Sequence, residues 1–328
     1  MPQTQLAHAI RIHATGGPEV LAWEQVEVNS PAADEVQVRH TAIGVNFYDV
    51  YERSGLYAAS LPLILGREAA GRIEAVGSAV RYLNVGDRVA YVSNTSGAYS
   101  ELRNVAADRI VKLPEDIPDD TAAAMMLKGL TAHMLLRQLY RVRKHDYVLV
   151  HAAAGGVGSI LVTWAKHIGA RVFAVVGNSA KVEYVRSLGA DEVLTVDDDW
   201  VQRARAFSAN QGVHVAYDSV GKDTFLRSLD CLRPRGMMVT FGNASGPVPP
   251  VAPLELAKRG SLFLTRPTMF DYTRTRAALV KAAQELFELA SRGVININIG
   301  QRFALRDAAS AHRALESRQT TGSTVLIP

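Results

Sequence analysis

The stretch Tyr147-Val-Leu-Val-His-Ala-Ala-Ala-Gly-Gly-Val-Gly158 decides the fold of this 328-residue chain. Its apolar first part, Tyr147–His151, predicts a buried parallel strand. Ala153-x-Gly155-x-x-Gly158 follows directly, and this is the dinucleotide-binding pattern G-x-G-x-x-G with alanine in the first place. Gly155 lets the backbone approach a pyrophosphate, and Gly158 lets the next helix pack close to the strand. Because strand, glycines and helix come in the required order, we interpret the stretch as a dinucleotide-binding turn; an ordinary strand-to-helix turn is the alternative.

The second half of the chain alternates regularly between strand and helix patterns. A helix is predicted from Val157 to about Ile168, with its N-terminal N–H groups directed at the pyrophosphate. Other helices are predicted at Ala180–Leu188, Thr224–Leu232 and Leu279–Arg292. The predicted strands are Tyr147–His151, Arg171–Val176, Glu192–Val196, Val213–Asp218, Gly236–Phe241 and Ser261–Thr265. Six strands with crossover helices are the content of a complete Rossmann domain, a doubly wound parallel sheet.

The first 125 or so residues carry β patterns instead. Turn-forming clusters separate short candidate strands at Ala9–His13, Glu35–Ala42, Gly71–Val76, Arg88–Tyr91 and Arg109–Lys112. Short strands with such turns favour a small, partly open β barrel. A helix is then predicted from Thr121 to about Leu127, ending before Gly129, and a second one over Leu130–Tyr140. The fold class is therefore α/β, and the β-rich tail 322–328 is expected to rejoin the first domain.

Composition restricts the classes of function. The chain is 48% hydrophobic, has a net charge of +4 and contains one cysteine, Cys231. These values suit a globular protein with an anionic ligand and exclude an intramolecular disulfide. No window has the ~18 apolar residues of a membrane span, and Met1–His8 does not resemble a signal peptide, so we predict a cytoplasmic protein without a membrane partner. The mild charge, and the lack of a basic–aromatic motif, argue against a nucleic-acid partner.

Several further motifs lie along nearly the whole chain. They are Ala42-Ile-Gly-Val-Asn-Phe47, Arg53-Ser-Gly-Leu-Tyr57, Gly66-Arg-Glu-Ala-Ala-Gly71, Val85-Gly-Asp-Arg-Val89, Leu127-Lys-Gly-Leu-Thr131, Tyr217-Asp-Ser-Val-Gly221 and Phe241-Gly-Asn243. Together with the glycine-rich turn, they resemble the zeta-crystallin-like quinone oxidoreductases, a zinc-free branch of the medium-chain dehydrogenase/reductase family. The resemblance implies a GroES-like catalytic domain (1–127 with 267–328), a Rossmann NADPH-binding domain (128–266), a cleft between them and a homodimer.

Zinc chemistry is not expected. The zinc enzymes of the wider family carry Gly-His-Glu where this chain has Gly66-Arg67-Glu68, and a guanidinium cannot ligate a cation. One cysteine also excludes the four-cysteine structural zinc site. We therefore predict no metal site, with the hydride supplied by a nicotinamide.

The resemblance places three polar residues at the reaction centre. Asn46 faces the substrate and either binds a quinone oxygen or binds a ribose hydroxyl; a simple turn residue is the alternative. Tyr57 either donates a proton or stacks, unless it is only a packing aromatic. Lys128 lies near the nicotinamide and its ribose, as does Thr131; a solvated helix end is the alternative for Lys128.

Cofactor contacts are expected at the carboxyl ends of the Rossmann strands, where such sheets bind ligands. The second strand ends without the Asp or Glu that holds the ribose hydroxyls of NAD, so a 2′-phosphate is not repelled. Lys181 offers charge there, and a solvated first-turn lysine is the alternative. The resemblance implies that Arg318 contacts the same 2′-phosphate. It also implies that one cofactor contact is missing, because Val196 stands where the family usually has a tyrosine. The remaining predicted contacts are Ala154, Gly155, Gly156, Val157, Gly177, Asn178, Ser179, Ser219, Phe241, Gly242 and Asn243; for Ser219, with Asp218, a simple cap of the next helix is the alternative.

The leading functional hypothesis is NADPH-dependent quinone reduction in the cleft. The nearest alternative is reduction of an activated C=C bond in an enone, alkenal or enoyl thioester. A binding or structural role, as in animal relatives that serve as lens crystallins or RNA binders, is the third, and the intact glycine pattern argues against it. The last Rossmann strand contains Leu262–Thr265, an apolar edge at which two subunits are expected to pair.

Overall fold

The computed structural model describes residues 4–328, which divide into two compact units. The first unit comprises the residues up to Leu130, Thr273–Ser291 and Ile297–Pro328, and the second comprises Thr131–Tyr272 and Arg292–Asn296. In sequence, the second unit is therefore inserted into the first. No helix of the described part of the chain has the length and apolar character needed to cross a membrane.

The elements follow in chain order. The first part of the chain contains β1 (Gln5–Ile12), β2 (Ala22–Val28), β3 (Glu35–Val45), α1 (Phe47–Ser54), β4 (Leu63–Ile64), β5 (Glu68–Val76), β6 (Arg88–Val92), β7 (Leu102–Ala106), β8 (Ile110–Lys112) and α2 (Asp119–His133). Short 3-10 turns lie at Pro18–Val20 and Ala107–Arg109, and a π-helical segment, Met134–Leu139, follows α2.

The middle of the chain contains β9 (Tyr147–His151), α3 (Gly156–Ile168), β10 (Arg171–Val176), a 3-10 turn (Ser179–Lys181), α4 (Val182–Ser187), β11 (Glu192–Thr195), α5 (Trp200–Phe207), β12 (Val213–Asp218), α6 (Phe225–Asp230), β13 (Leu232–Thr240), α7 (Pro253–Lys258) and β14 (Phe263–Thr265). The last part contains α8 (Met269–Tyr272), α9 (Arg276–Ser291), β15 (Ile299–Ala304), a 3-10 turn (Leu305–Asp307), α10 (Ala308–Glu316) and β16 (Ser323–Ile327).

Strand β3 organises the sheet of the first unit. The strand order is β15-β16-β3-β5-β6-β8, and β7 also pairs with β3; a smaller sheet has the order β2-β1-β4. Register shifts interrupt the β3–β5 pairing after Gln37 and after His40. Such irregularities bend a strand. Along its other edge, β3 pairs first with β7 (residues 35–39) and then with β16 (residues 43–45), as in the predicted partly open barrel. The hydrophobic core of the first unit contains Ile10, Val38, Ile43, Leu65, Tyr91 and Leu326.

The second unit is a parallel six-stranded sheet in the order β11-β10-β9-β12-β13-β14. This is the Rossmann order 3-2-1-4-5-6, so the predicted doubly wound sheet is confirmed. Helix α3 packs against β9 and β10, α5 against β10 and β11, and α6 against β12 and β13. The sheet and helices bury a core that includes Leu149, Phe173, Trp200, Phe225 and Met238.

The predicted helix break before Gly129 is wrong. Helix α2 runs without interruption through Gly129 to His133. A Cβ atom at Gly129 would lie 2.5 Å from the terminal methyl carbons of Leu286, which belongs to α9. Glycine at this position lets the Leu286 side chain lie directly against the backbone of α2, although glycine has a low helix propensity.

Candidate functional site

The glycine-rich turn joins β9 to α3 in the second unit. Gly155 is the N-cap of α3 with φ −80°, a conformation open to any residue, and a Cβ there would lie 3.2 Å from the Ala152 carbonyl oxygen. At Gly158 the same test gives 2.3 Å to that oxygen and 2.7 Å to the Cα of Ala153. Gly158 is therefore required for the close approach of helix and strand, whereas Gly155 leaves room above the turn.

The turn presents backbone N–H groups. Gly156 and Val157 begin α3, and the first intrahelical bond runs from Ser159 N–H to the Gly155 carbonyl. The N–H groups at the start of a helix have no acceptor within it and lie at the positive end of its dipole. Ala154 is buried in the turn and keeps it compact. This arrangement suits a pyrophosphate.

The end of β10 brings four predicted contacts into one turn. Gly177 follows β10, and a Cβ there would meet no atom within 4 Å. Asn178 precedes the 3-10 turn Ser179–Lys181, whose end is fixed by a bond from Lys181 N–H to the Asn178 carbonyl. Burial lowers the pKa of Lys181. None of these residues is acidic, and the nearby Glu183 is paired with Arg186 at 2.5 Å.

The loops after β12 and β13 lie against each other. A Cβ at Gly242 would lie 2.4 Å from the carbonyl oxygen of Ser219, and the Ala244 N–H donates to the same oxygen at 3.2 Å. The Phe241 N–H donates to the carbonyl of Asp218 at 2.8 Å. The predicted contacts Ser219, Phe241, Gly242 and Asn243 are therefore brought together at the carboxyl ends of the strands.

Asp218 and Arg266 build this loop pair. The buried carboxylate of Asp218 accepts from the N–H groups of Val220 and Gly221 and from the Thr224 hydroxyl, so it shapes the turn before α6. Arg266 donates to the Gly242 carbonyl at 2.9 Å. Sequence analysis did not identify Arg266, because it lies outside every recognised motif.

A second cluster lies in the first unit, around the carboxylate of Glu68. This side chain has no solvent exposure. Its Oε1 accepts from the side-chain amide of Asn46 at 2.8 Å and from the Lys128 ammonium at 3.0 Å. Its Oε2 accepts from the Leu127 N–H at 2.6 Å. The three bonds bring together the predicted residues Asn46 and Lys128, and Lys128 is buried, not a solvated helix end.

Gly44 makes space for this carboxylate. A Cβ at that position would lie 2.2 Å from Glu68 Oε1 and 2.4 Å from the Ala123 carbonyl oxygen. Glu68 belongs to the motif Gly66–Gly71 but is not among the site residues predicted from the sequence. The signal that could have identified it is an acidic residue directly before the small, uncharged run Ala69-Ala70-Gly71, since a buried charge requires partners.

Asn46 is also held from the other side. It is the N-cap of α1, and its N–H donates to the Asp49 carboxylate at 2.8 Å. Asp49 accepts in addition from the Tyr99 hydroxyl at 3.0 Å, and that hydroxyl contacts His312. Burial raises the pKa of Asp49 to about 7, the Asn46 N–H lowers it, and the charge of Glu52 raises it further.

Tyr57 lies in a group of three tyrosines that we call the tyrosine wall: Tyr48, Tyr51 and Tyr57. The ring of Tyr57 makes edge-on contacts with Tyr48 and with Tyr51, each with 5.1 Å between ring centroids. Its N–H donates to the Tyr51 carbonyl at 3.0 Å. Tyr51 is buried, and Tyr48 and Tyr57 are half-buried.

The remaining predicted contacts lie outside these clusters. Thr131 lies within α2 and belongs to the second unit, and Arg318 follows α10 in the first unit, with φ +59°. Val196 directly follows β11, and its N–H donates to the Val176 carbonyl. Within residues 4–328, no three His, Cys, Asp or Glu side chains gather in a group that could hold a metal ion.

Comparison with known proteins gives consistent matches. The family described as "Alcohol dehydrogenase GroES-like domain" matches residues 32–115, and "Zinc-binding dehydrogenase" matches residues 156–291. A "Quinone oxidoreductase" of Pseudomonas aeruginosa is 50% identical over 98% of this chain and 100% of its own length. A "2-haloacrylate reductase" of a Burkholderia species is 44% identical over 97% of this chain and 98% of its own. The solved structure of Escherichia coli quinone oxidoreductase complexed with NADPH has a TM-score of 0.96 and 46% identity, covering 98% of this chain and 100% of that chain.

Proposed function

The chain belongs to the quinone oxidoreductases of the medium-chain dehydrogenase/reductase family, and from this premise we propose that it reduces quinones with NADPH, without zinc. The observation that carries the proposal is the likeness to these enzymes along nearly the whole chain, including one solved with NADPH. The functional domains proposed are 1–127 with 267–328 for catalysis and 128–266 for NADPH.

The second unit has residues that fit NADPH. The N–H groups of Gly156 and Val157 suit the pyrophosphate, and the open space above Gly177 admits the ribose. Asn178, Ser179 and Lys181 supply donors for the 2′-phosphate, and no carboxylate of this turn opposes its charge. When bound, the cofactor supplies the hydride. The paired loops carrying Ser219 and Asn243 are proposed to hold the carboxamide, with Phe241 and Gly242 contributing backbone groups.

The first unit supplies oriented polar groups. Glu68 fixes the amide of Asn46 and the ammonium of Lys128, so both enter a complex without reorganisation. Such preorganisation is the main contribution a protein makes to hydride transfer. We propose that Asn46 and Lys128 contact cofactor or acceptor, and that Tyr57, whose ring lies beside those of Tyr48 and Tyr51, stacks on the acceptor ring. Thr131 and Arg318 complete the proposed cofactor contacts.

Steady-state kinetics test this function directly. Purified protein should oxidise NADPH in the presence of quinones, and NADH should give a much lower kcat/KM. The same assay with alkenals and enoyl-CoA thioesters serves as comparison. Quinone reduction that is absent, or slower than reduction of every alkene tested, would contradict the proposal.

Reduction of an activated C=C bond is the second candidate. It is supported by the relative named 2-haloacrylate reductase, which is 44% identical to this chain. Both reactions deliver a hydride to an electron-poor acceptor, so the same oriented groups would serve either one.

We also propose a homodimer. Strand β14 is an edge of the parallel sheet and, within residues 4–328, pairs only with β13; 55% of Phe263 is exposed. An exposed apolar edge favours pairing with a second copy. Sedimentation at micromolar concentration should give a dimer, and a monomer would count against it. A cytoplasmic location stays a prediction of the sequence.

A further inference from the structure

A buried ion pair lies behind the tyrosine wall. Arg67, which directly precedes β5, is only 7% exposed. Its Nη2 donates to Glu52 Oε1 at 2.6 Å, and its Nη1 donates to the Asn94 carbonyl. Glu52, on α1, also accepts from the Ser96 hydroxyl at 2.6 Å and is 4% exposed. The guanidinium is therefore anchored from two sides.

The anchored guanidinium lies over the ring of Tyr48. Its central carbon is 4.0 Å from the ring centroid, the distance of a cation–π contact. Tyr48 in turn contacts Tyr57 edge-on, with an angle of 65° between the rings. A continuous series of contacts thus runs from Glu52 through Arg67 and Tyr48 to Tyr57.

The geometry of this series depends on arginine in particular. A guanidinium is planar, so it can pair with a carboxylate in its plane and stack on a ring with its face. Lysine keeps the charge but has no face to stack. A buried ion pair by itself is weak evidence for stability, so its effect on the geometry of its neighbours is the property to test.

We propose that Arg67 is a positioning residue: it fixes Tyr48 and, through it, Tyr57, and thereby makes the tyrosine wall selective for acceptors with extended flat rings. This inference rests on the proposed function. A Tyr57 ring that Tyr48 holds in one orientation gains from stacking with a flat ligand, and the gain grows with the ring area that is covered. A wall of mobile rings would lose part of that gain for a fused-ring quinone and little of it for a single-ring quinone.

The variant Arg67→Lys tests the proposal. We expect its KM for 1,4-naphthoquinone to rise about three- to tenfold, the cost of ordering a freed aromatic side chain when the acceptor binds. The KM for 1,4-benzoquinone, the kcat for both and the Kd for NADPH should stay unchanged. Such a split indicates loss of uniform acceptor binding, which a general loss of stability would not produce. Arg109→Lys is the matched control, because Arg109 is 8% exposed in the same unit and bonds to the backbone of Val92 and Thr273.

The variant Tyr48→Leu provides a second route, since it leaves the Glu52–Arg67 pair intact. It should reproduce the selective rise in KM, and adding Arg67→Lys to it should cause no further rise. Equal KM changes for both quinones, or the same split in Arg109→Lys, would show that Arg67 only supports the fold. Wild-type protein that reduces neither quinone would instead contradict the proposed function itself.

Discussion

The choice between NADPH and NADH depends on a few side chains after β10. Gly177 leaves open space, and Asn178, Ser179 and Lys181 follow within one turn. Lys181 is the one fixed charge among them. Burial lowers its pKa, as expected for an ammonium partly removed from water, and a phosphate beside it would raise that pKa again.

The variant Lys181→Ala should therefore bind NADPH more weakly by about one to two orders of magnitude, because a hydrogen bond to a charged group is worth roughly 1.5–3 kcal/mol. NADH binding should hardly change. Fluorescence titration with both cofactors measures this. Equal weakening for both would assign Lys181 to the fold and not to the 2′-phosphate.

The raised pKa of Asp49 predicts that the free energy of unfolding depends on pH. Its pKa is raised from 3.8 to about 7 in the folded chain, so the folded state keeps a proton that the unfolded state has lost between these values. Stability from this group is therefore present at low pH and is lost as the pH rises to about 7, by about 1.4 kcal/mol per pH unit at most. His40 and His312, whose pKa values burial lowers to about 4 and about 3, contribute the opposite slope.

Comparison with Asp49→Asn isolates the effect, because the histidine contributions are common to both proteins and cancel. The variant should gain stability relative to the wild type between pH 5 and 7, with no further gain above pH 7. Chemical unfolding at a series of pH values provides the measurement. A difference that does not vary with pH would mean that Asp49 titrates normally.

Two glycines of the turn between β9 and α3 have different roles: Gly155 leaves space for the cofactor, and Gly158 lets helix and strand pack closely. A side chain at Gly155 meets only the Ala152 carbonyl, 3.2 Å away, whereas one at Gly158 overlaps the backbone. Gly155→Val should keep the melting temperature of the cofactor-free protein and lose NADPH binding, because its branched side chain occupies the place of the pyrophosphate. Gly158→Ala should lower the melting temperature, by an overpacking cost of about 1–3 kcal/mol. Normal cofactor affinity in Gly155→Val would move the phosphate site elsewhere.

Local patterns predicted the second unit better than the first. Strands β9, β10 and β12 match their predicted limits, because buried parallel strands are apolar along their whole length. Strand β2 was not predicted, since Val26 is its one buried residue and its charged positions resemble a loop. Strand β13 begins at Leu232, before the predicted Gly236. Pro234 is unusual within a strand, and Arg235 has a positive φ, so the sequence before Gly236 does not resemble a regular strand.

Packing between distant parts of the chain explains what the sequence could not reveal. Local sequence patterns predict a helix end at Gly129, and only the position of Leu286 shows what a glycine inside α2 accommodates. In the same way, Glu68 joins Asn46 and Lys128 across 22 and 60 positions of sequence. The motifs predicted Asn46 and Lys128 separately; their shared carboxylate required the structure.

Metal independence is a prediction about the protein as a whole. Arg67 stands where the zinc enzymes of the wider family carry a ligand, and its guanidinium is engaged with Glu52. Cys231 is buried in the core of the second unit. NADPH oxidation should therefore survive dialysis against a strong chelator at full rate. An activity that disappears, and returns on addition of zinc but not of magnesium, would overturn the mechanism.

The pairing of β16 with β3 sets the order in which the chain can complete its folding during synthesis. Val45, near the end of β3, is paired with Thr324, so nearly the entire sequence separates two neighbouring strands. Because synthesis adds about 5–20 residues per second, many seconds pass between the emergence of β3 and that of β16 from the ribosome. All six strands of the second unit have emerged well before that point, since β14 ends at Thr265. The dinucleotide-binding sheet can thus form first, while the barrel that begins the chain is the last part of the protein to close.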